Sequence, residues 1–143
     1  MKNHFHPKKN HIVAAAVCVI FLCCQNFFEI HLAKPNQSVT AIEFVFDTTL
    51  TSLSYVSVDD IATEEIVWQM WSDYRVDVES NGLFYGEVPD GFFEEVSAQD
   101  LQAGHSYTIH VSDSNSGSSG NLTFAVDADG IVNEITENQN DFN

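Results

Sequence analysis

Apolar and polar residues alternate with a period of two over much of this chain. The clearest run is 107–111, where Tyr107, Ile109 and Val111 fall on one side and Ser106, Thr108, His110 and Ser112 on the other. A strand with one buried and one wet face requires this pattern, because successive side chains point to opposite faces. Residues 39–46 repeat it, with Ile42, Phe44 and Phe46 on one face, and so do Leu122, Phe124 and Val126. At 74–79, Tyr74, Val76 and Val78 oppose Arg75, Asp77 and Glu79. Weaker strand patterns cover 50–58, 83–88, 92–96 and 131–135. The pattern predicts about seven to nine strands.

Residues 59–72 are harder to read. Ile61, Ala62, Ile66, Val67, Trp68, Met70 and Trp71 spread right round a helical wheel, which disfavours an amphipathic surface helix. A strand over 65–71, apolar on both faces, suits a central position in a sheet. Trp68 is then expected in the core, near Tyr107, like the buried Trp of sandwich folds. Trp71 falls on the opposite face, where it serves either as packing or as an exposed aromatic platform for a ligand such as a sugar ring.

Turn chemistry divides the strands. Asn81-Gly82 predicts a tight hairpin, because both residues accept positive φ. Pro89-Asp90-Gly91 and Asp127-Ala128-Asp129-Gly130 predict further turns. Residues 113–120, Asp-Ser-Asn-Ser-Gly-Ser-Ser-Gly, hold no core-forming side chain and read as a flexible loop. No internal repeat is evident.

Leu101, Gly104 and Tyr107 have the spacing of a tyrosine corner, in which a buried Tyr ring opens a central strand and its hydroxyl reaches backbone just upstream. The stretch resembles fibronectin type III and related immunoglobulin-like domains, with Ala103 where those often carry Pro. The resemblance covers about seven residues. It implies an all-β, immunoglobulin-like or fibronectin type III-like sandwich. It also implies a binding or spacer module that acts through surfaces and loops and not through catalysis.

The N-terminus differs in character. Lys2, Lys8 and Lys9 precede an unbroken apolar run at 12–24, followed by Gln25-Asn26. The order basic, apolar, polar is that of an export signal, and the basic residues place the remainder on the non-cytoplasmic side. The run is short for a spanning helix, which needs about 20 residues. Three fates compete: cleavage after Ala33, lipid attachment at Cys23 or Cys24, or retention as an anchor. Residues 1–33 are thus expected to be an export signal or anchor, 36–137 the sandwich and 138–143 a frayed tail, with 34–37 as linker.

All three cysteines, Cys18, Cys23 and Cys24, lie in the apolar run, so the folded part is expected to hold neither a disulfide nor a thiolate metal site. The whole chain carries a formal charge of −16. From Asn36 onward Arg75 is the only Lys or Arg, against twenty of the twenty-one acids, which makes that part −19. Such a surface repels phosphate backbones and anionic lipid headgroups, so nucleic-acid binding is not expected. It attracts cations or a basic protein partner.

His105 and His110 are the only histidines after residue 31, and strand parity sets them on opposite faces. No Gly-x-Ser-x-Gly elbow or Gly-rich phosphate loop occurs, and catalysis is not expected. The one metal option is a weak calcium site at Asp127 and Asp129, with Asp113 or Glu134 nearby. An EF-hand fails, because with Gly130 as the loop glycine the first ligand is Ala125 and the closing one Thr136. A plain hairpin turn is the simpler reading. No other cofactor is implied. Asn36-Gln37-Ser38 and Asn121-Leu122-Thr123 fit glycosylation sequons. Asp113 and Asn115, on a loop between two main strands, join Trp71 as candidate binding residues. The expected function is a tethered, acidic envelope module for a protein partner, of inhibitor or immunity type. A spacer without a ligand is the second expectation, and a low-affinity calcium-binding or hydrolytic domain the third.

Overall fold

The computed structural model describes residues 26–73 and 77–135. These form ten strands: β1 (Ile30–Leu32), β2 (Gln37–Ser38), β3 (Glu43–Leu50), β4 (Leu53–Asp60), β5 (Glu65–Ser72), β6 (Ser80–Phe84), β7 (Phe92–Val96), β8 (Ser106–Asp113), β9 (Ser119–Val126) and β10 (Ile131–Glu134). They make two antiparallel sheets, one of order β1-β3-β6 and one of order β2-β10-β9-β8-β4-β5-β7. The fold is therefore an all-β two-sheet sandwich. No helix among the described residues is long and apolar enough to cross a membrane. The apolar run at 12–24, with Cys23 and Cys24, and the tail at 138–143 lie outside the described residues.

The core lies between the sheets, where the alternation placed it. Ile30, Phe44, Phe46 and Leu83 come from the small sheet; Val56, Val58, Trp68, Met70, Ile109, Val111 and Phe124 come from the large one. Phe44 meets Phe124 across the layers at 5.5 Å. The corner forms as its spacing predicts. Tyr107 is buried and stacks on Phe124, and the Gln102 N–H donates to its hydroxyl at 2.8 Å. Burial pushes the Tyr107 phenol pKa up, against the lowering effect of that N–H. Tyr107→Phe is expected to cost about 1–2 kcal/mol, because the Gln102 N–H loses its acceptor. A urea midpoint equal to that of the parent would show that the hydroxyl is idle.

Residues 65–72 form strand, not helix, and β5 lies inside the sheet between β4 and β7. Trp68 is fully buried, but its ring partner is Tyr85 at 5.2 Å rather than Tyr107. Strand β4 separates β5 from β8, with Val58 between Trp68 and Ile109. The indole N–H of Trp68 is satisfied by Glu94 at 3.1 Å.

Five expectations need correction. Asn81-Gly82 is not a hairpin turn but part of β6, where Gly82 lies opposite Val45. The glycine answers to a close backbone approach instead: a Cβ there would sit 2.5 Å from the Phe44 carbonyl oxygen. Strands β3 and β4 start at Glu43 and Leu53, each a few residues later than the alternation suggested, because residues 39–41 turn and, after β3 has run on to Leu50, residues 51–52 bend.

The sandwich also begins before Asn36. Phe28, Ile30 and Leu32 are buried, and β1 pairs with β3. Residues 34–37 are no free linker. Buried Gln37 clamps β3 with its side chain, donating to the Glu43 carbonyl and accepting from the Glu43 N–H, both at 2.9 Å. Finally, β8 runs through Asp113 and β9 starts at Ser119, which shortens the expected loop and ties it down. The turns at Pro89 and Asp127 form as predicted. The Phe92 N–H donates to the Pro89 carbonyl at 3.1 Å, and Asp127 joins β9 to β10.

Candidate functional site

The outer face of the seven-stranded sheet carries three aromatic residues in one cross-strand row. Pairing sets Tyr55 of β4 opposite Trp71 of β5, and Trp71 opposite Phe93 of β7. Parity explains their outward aim, since the neighbours Val56 and Met70 point into the core. Trp71 is 39% exposed and Phe93 56%. The Tyr55 and Trp71 rings lie 4.3 Å apart with planes inclined by 49°.

Polar groups border the row. The Trp71 indole N–H donates to Glu95, and Gln69 donates to the Tyr55 hydroxyl at 3.3 Å. His110, also facing solvent, is 3.4 Å from Asp59. The row leaves Trp71 and Phe93 in contact with water beside a carboxylate held on the Trp71 indole. The sequence singled out Trp71. Tyr55, Phe93 and Glu95 were missed, because their neighbourhood depends on the register of three strands. The one local signal was the outward parity of Phe93 and Glu95 on a short strand.

A second cluster lies at the end of the sandwich where β4 turns into β5. Asp60 is buried; one carboxylate oxygen accepts from the Ala62 and Thr63 N–H groups, and the other lies 2.6 Å from His105 Nδ1. Desolvation raises the Asp60 pKa, but the His105 and backbone hydrogen bonds outweigh it and hold the carboxyl below its usual value. The cluster ties the β4–β5 turn to the residue just before β8. His105 pairs with Asp60 and His110 with the adjacent Asp59, in keeping with their opposite parity.

Asp113 and Asn115 do not join the aromatic row. Asp113 is buried. One of its oxygens accepts from the Thr51 and Ser52 N–H groups at 2.8 and 3.0 Å, the other from the Ser116 N–H and hydroxyl at 2.8 and 3.1 Å. These four donors outweigh desolvation and lower its pKa. Its carboxylate organises two turns and is spent on backbone, while Asn115 is exposed at the turn tip.

Asp127 and Asp129 lie in the β9–β10 turn. Asp127 Oδ1 accepts from the Asp129 and Ile131 N–H groups, each at 2.9 Å, as in an ordinary Asx turn. Among the described residues no group of three His, Cys, Asp or Glu side chains is placed to hold a metal. Comparison with protein-family models, curated proteins and solved structures gave no match.

Proposed function

We propose that this chain is a non-catalytic, exported binding module, tethered to or released into the cell envelope, that recognises a basic protein partner. The observation that carries the reading is the outward-facing Tyr55–Trp71–Phe93 row, with Trp71 and Phe93 exposed and Tyr55 half-buried, on the open face of a strongly acidic domain. Long-range charge steers a cationic partner toward the surface, and the aromatic row supplies short-range contact. An inhibitor or immunity role for a basic toxin is one form of this activity.

An immunoglobulin-like or fibronectin type III-like fold underlies it. Lettering β1, β3 and β6 as A, B and E, and β4, β8 and β9 as C, F and G, gives both sheets the strand neighbours of that architecture. The Tyr corner then opens strand F, as it does in those domains. The buried Trp68 departs from the pattern, since it lies on the strand beside C. Strands β2, β7 and β10 are additions.

Export rests on the basic and apolar leader. Strand β1 favours retention, or lipid attachment at Cys23 or Cys24, over cleavage after Ala33, because that cut would strip β1 from the sandwich.

The test is recovery of partners by the full chain from its own cells. At about 0.05 M salt one protein of basic composition should co-purify in near-stoichiometric amount, and roughly 0.5 M salt should release it. If nothing is retained at either salt, and scattered Asp and Glu replacements leave function intact, the domain is a structural spacer.

A further inference from the structure

We propose that the Tyr55–Trp71–Phe93 row, with Glu95, is the docking site for arginine or lysine side chains on an extended segment of the partner. This rests on the binding-module reading above and adds its location and chemistry. Three aromatic side chains sit opposite one another on adjacent strands at the β7 edge of the large sheet, with Trp71 and Phe93 exposed. A guanidinium or ammonium group over an aromatic face is attracted by the ring quadrupole, most strongly over Trp. Glu95, already fixed against the Trp71 indole, supplies a carboxylate beside the same ring. An arginine stacked on Trp71 can therefore reach Glu95 with its fork of N–H donors. Asp73 and Asp90 flank the same corner, since Asp73 follows the end of β5 and its N–H bonds the carbonyl of Gly91, next to Asp90.

Two other occupants fit less well. A neutral sugar chain needs a flat aromatic platform, whereas the Tyr55 and Trp71 planes are inclined by 49°. A second copy of the domain would set one charge of −19 against another. Only a cationic partner uses both the rings and the charge.

The chain holds two tryptophans, buried Trp68 and half-exposed Trp71, so their two indole N–H signals in a nitrogen-15 spectrum report the core and the row separately. The probe is a synthetic peptide of alternating arginine and glycine, added to the full chain at low salt. The Trp71 signal should move in a saturable manner while that of Trp68 stays in place. Trp71→Ala and Phe93→Ser should each weaken the affinity about tenfold, the scale of one partly desolvated cation–π contact. Phe93→Ser alters an exposed edge position, so it keeps the test valid if Trp71→Ala folds poorly. Glu95→Gln should weaken binding roughly threefold, and Asp129→Asn, the same charge change in the β9–β10 turn, less than about twofold.

Equal losses from Glu95→Gln and Asp129→Asn, with Trp71→Ala unchanged, would mean attraction by overall charge alone. The site would then be wrong and the binding module would stand. A neutral hexose oligomer that moves the Trp71 signal where the peptide does not would also overturn the proposal. If no cationic peptide binds at any site, both the docking site and the basic-partner reading fall.

Discussion

A chain that begins at Lys34 is expected to lose most or all of its stable fold, whereas one that begins at Asn26 keeps it. The difference is the segment holding Phe28, Ile30 and Leu32, which are 6%, 2% and 8% exposed. Burying an apolar side chain of this size is worth about 1.5–3 kcal/mol, so the three together contribute roughly 5–9 kcal/mol. A domain's whole stability is about 5–15 kcal/mol. Further losses follow: the Phe28–Phe46 ring contact at 5.6 Å, the Ala33 N–H bond to the Glu43 carbonyl at 2.9 Å, and the pairing of β1 along Phe44–Phe46 of β3. Near-ultraviolet circular dichroism and a urea titration of both chains decide the matter. Equal unfolding midpoints would show that β1 is ornamental and would restore cleavage after Ala33 as an acceptable fate.

Asp113→Ala should be the most damaging single change at a polar position, at about 3 kcal/mol. Four donors from the segments 51–52 and 116 converge on one buried carboxylate, and its removal leaves them without an acceptor. Asp113→Asn should recover only part of the loss, because an amide presents two donors of its own to a ring of donors.

The same carboxylate sets an acid limit. Its pKa in the folded protein lies below the usual 3.8, as does that of Asp60. A depressed carboxyl contributes stability in full above its unfolded pKa and loses it as pH falls through the folded value. Stability of the parent should therefore be flat with respect to these two groups near neutrality and decline below about pH 4. Asp113→Ala should flatten the decline, and Asn115→Ala, an exposed neighbour, should change neither midpoint nor acid profile. An unaltered acid slope in Asp113→Ala would contradict this account.

The contrast between Asp113 and Tyr107 explains what could be read from residue order. Tyr107 sits five residues from the N–H it accepts from, so its role is local and its spacing announces it. Asp113 takes N–H groups from 61 and 62 residues away, and nothing near it in the chain reveals them. Alternation placed β8 and β9 because one face of each is buried and the other is not, whereas β5 was legible because its apolar residues form no helical stripe. It missed β1 because Ile30-His31-Leu32 follows a long apolar run and merges with it to the eye. It misassigned Asn81-Gly82 because a glycine demanded by a passing carbonyl has the same letter as one demanded by a turn.

The aromatic row shows the same limit. Trp71 was visible as an outward aromatic, but its neighbours Tyr55 and Phe93 are 16 and 22 residues away and join it only through register.

The point where the chain enters the sandwich lies at one end of the two sheets. Asn26 and Phe28 bond to Ser119 beside the turns that follow β3 and β8, while the Asp60–His105 pair caps the opposite end. A tether preceding Asn26 would pull on the first of these ends. The molecule would then hang head-down, its β4–β5 turn outermost and its aromatic row on the flank, open to a partner that approaches sideways along the surface.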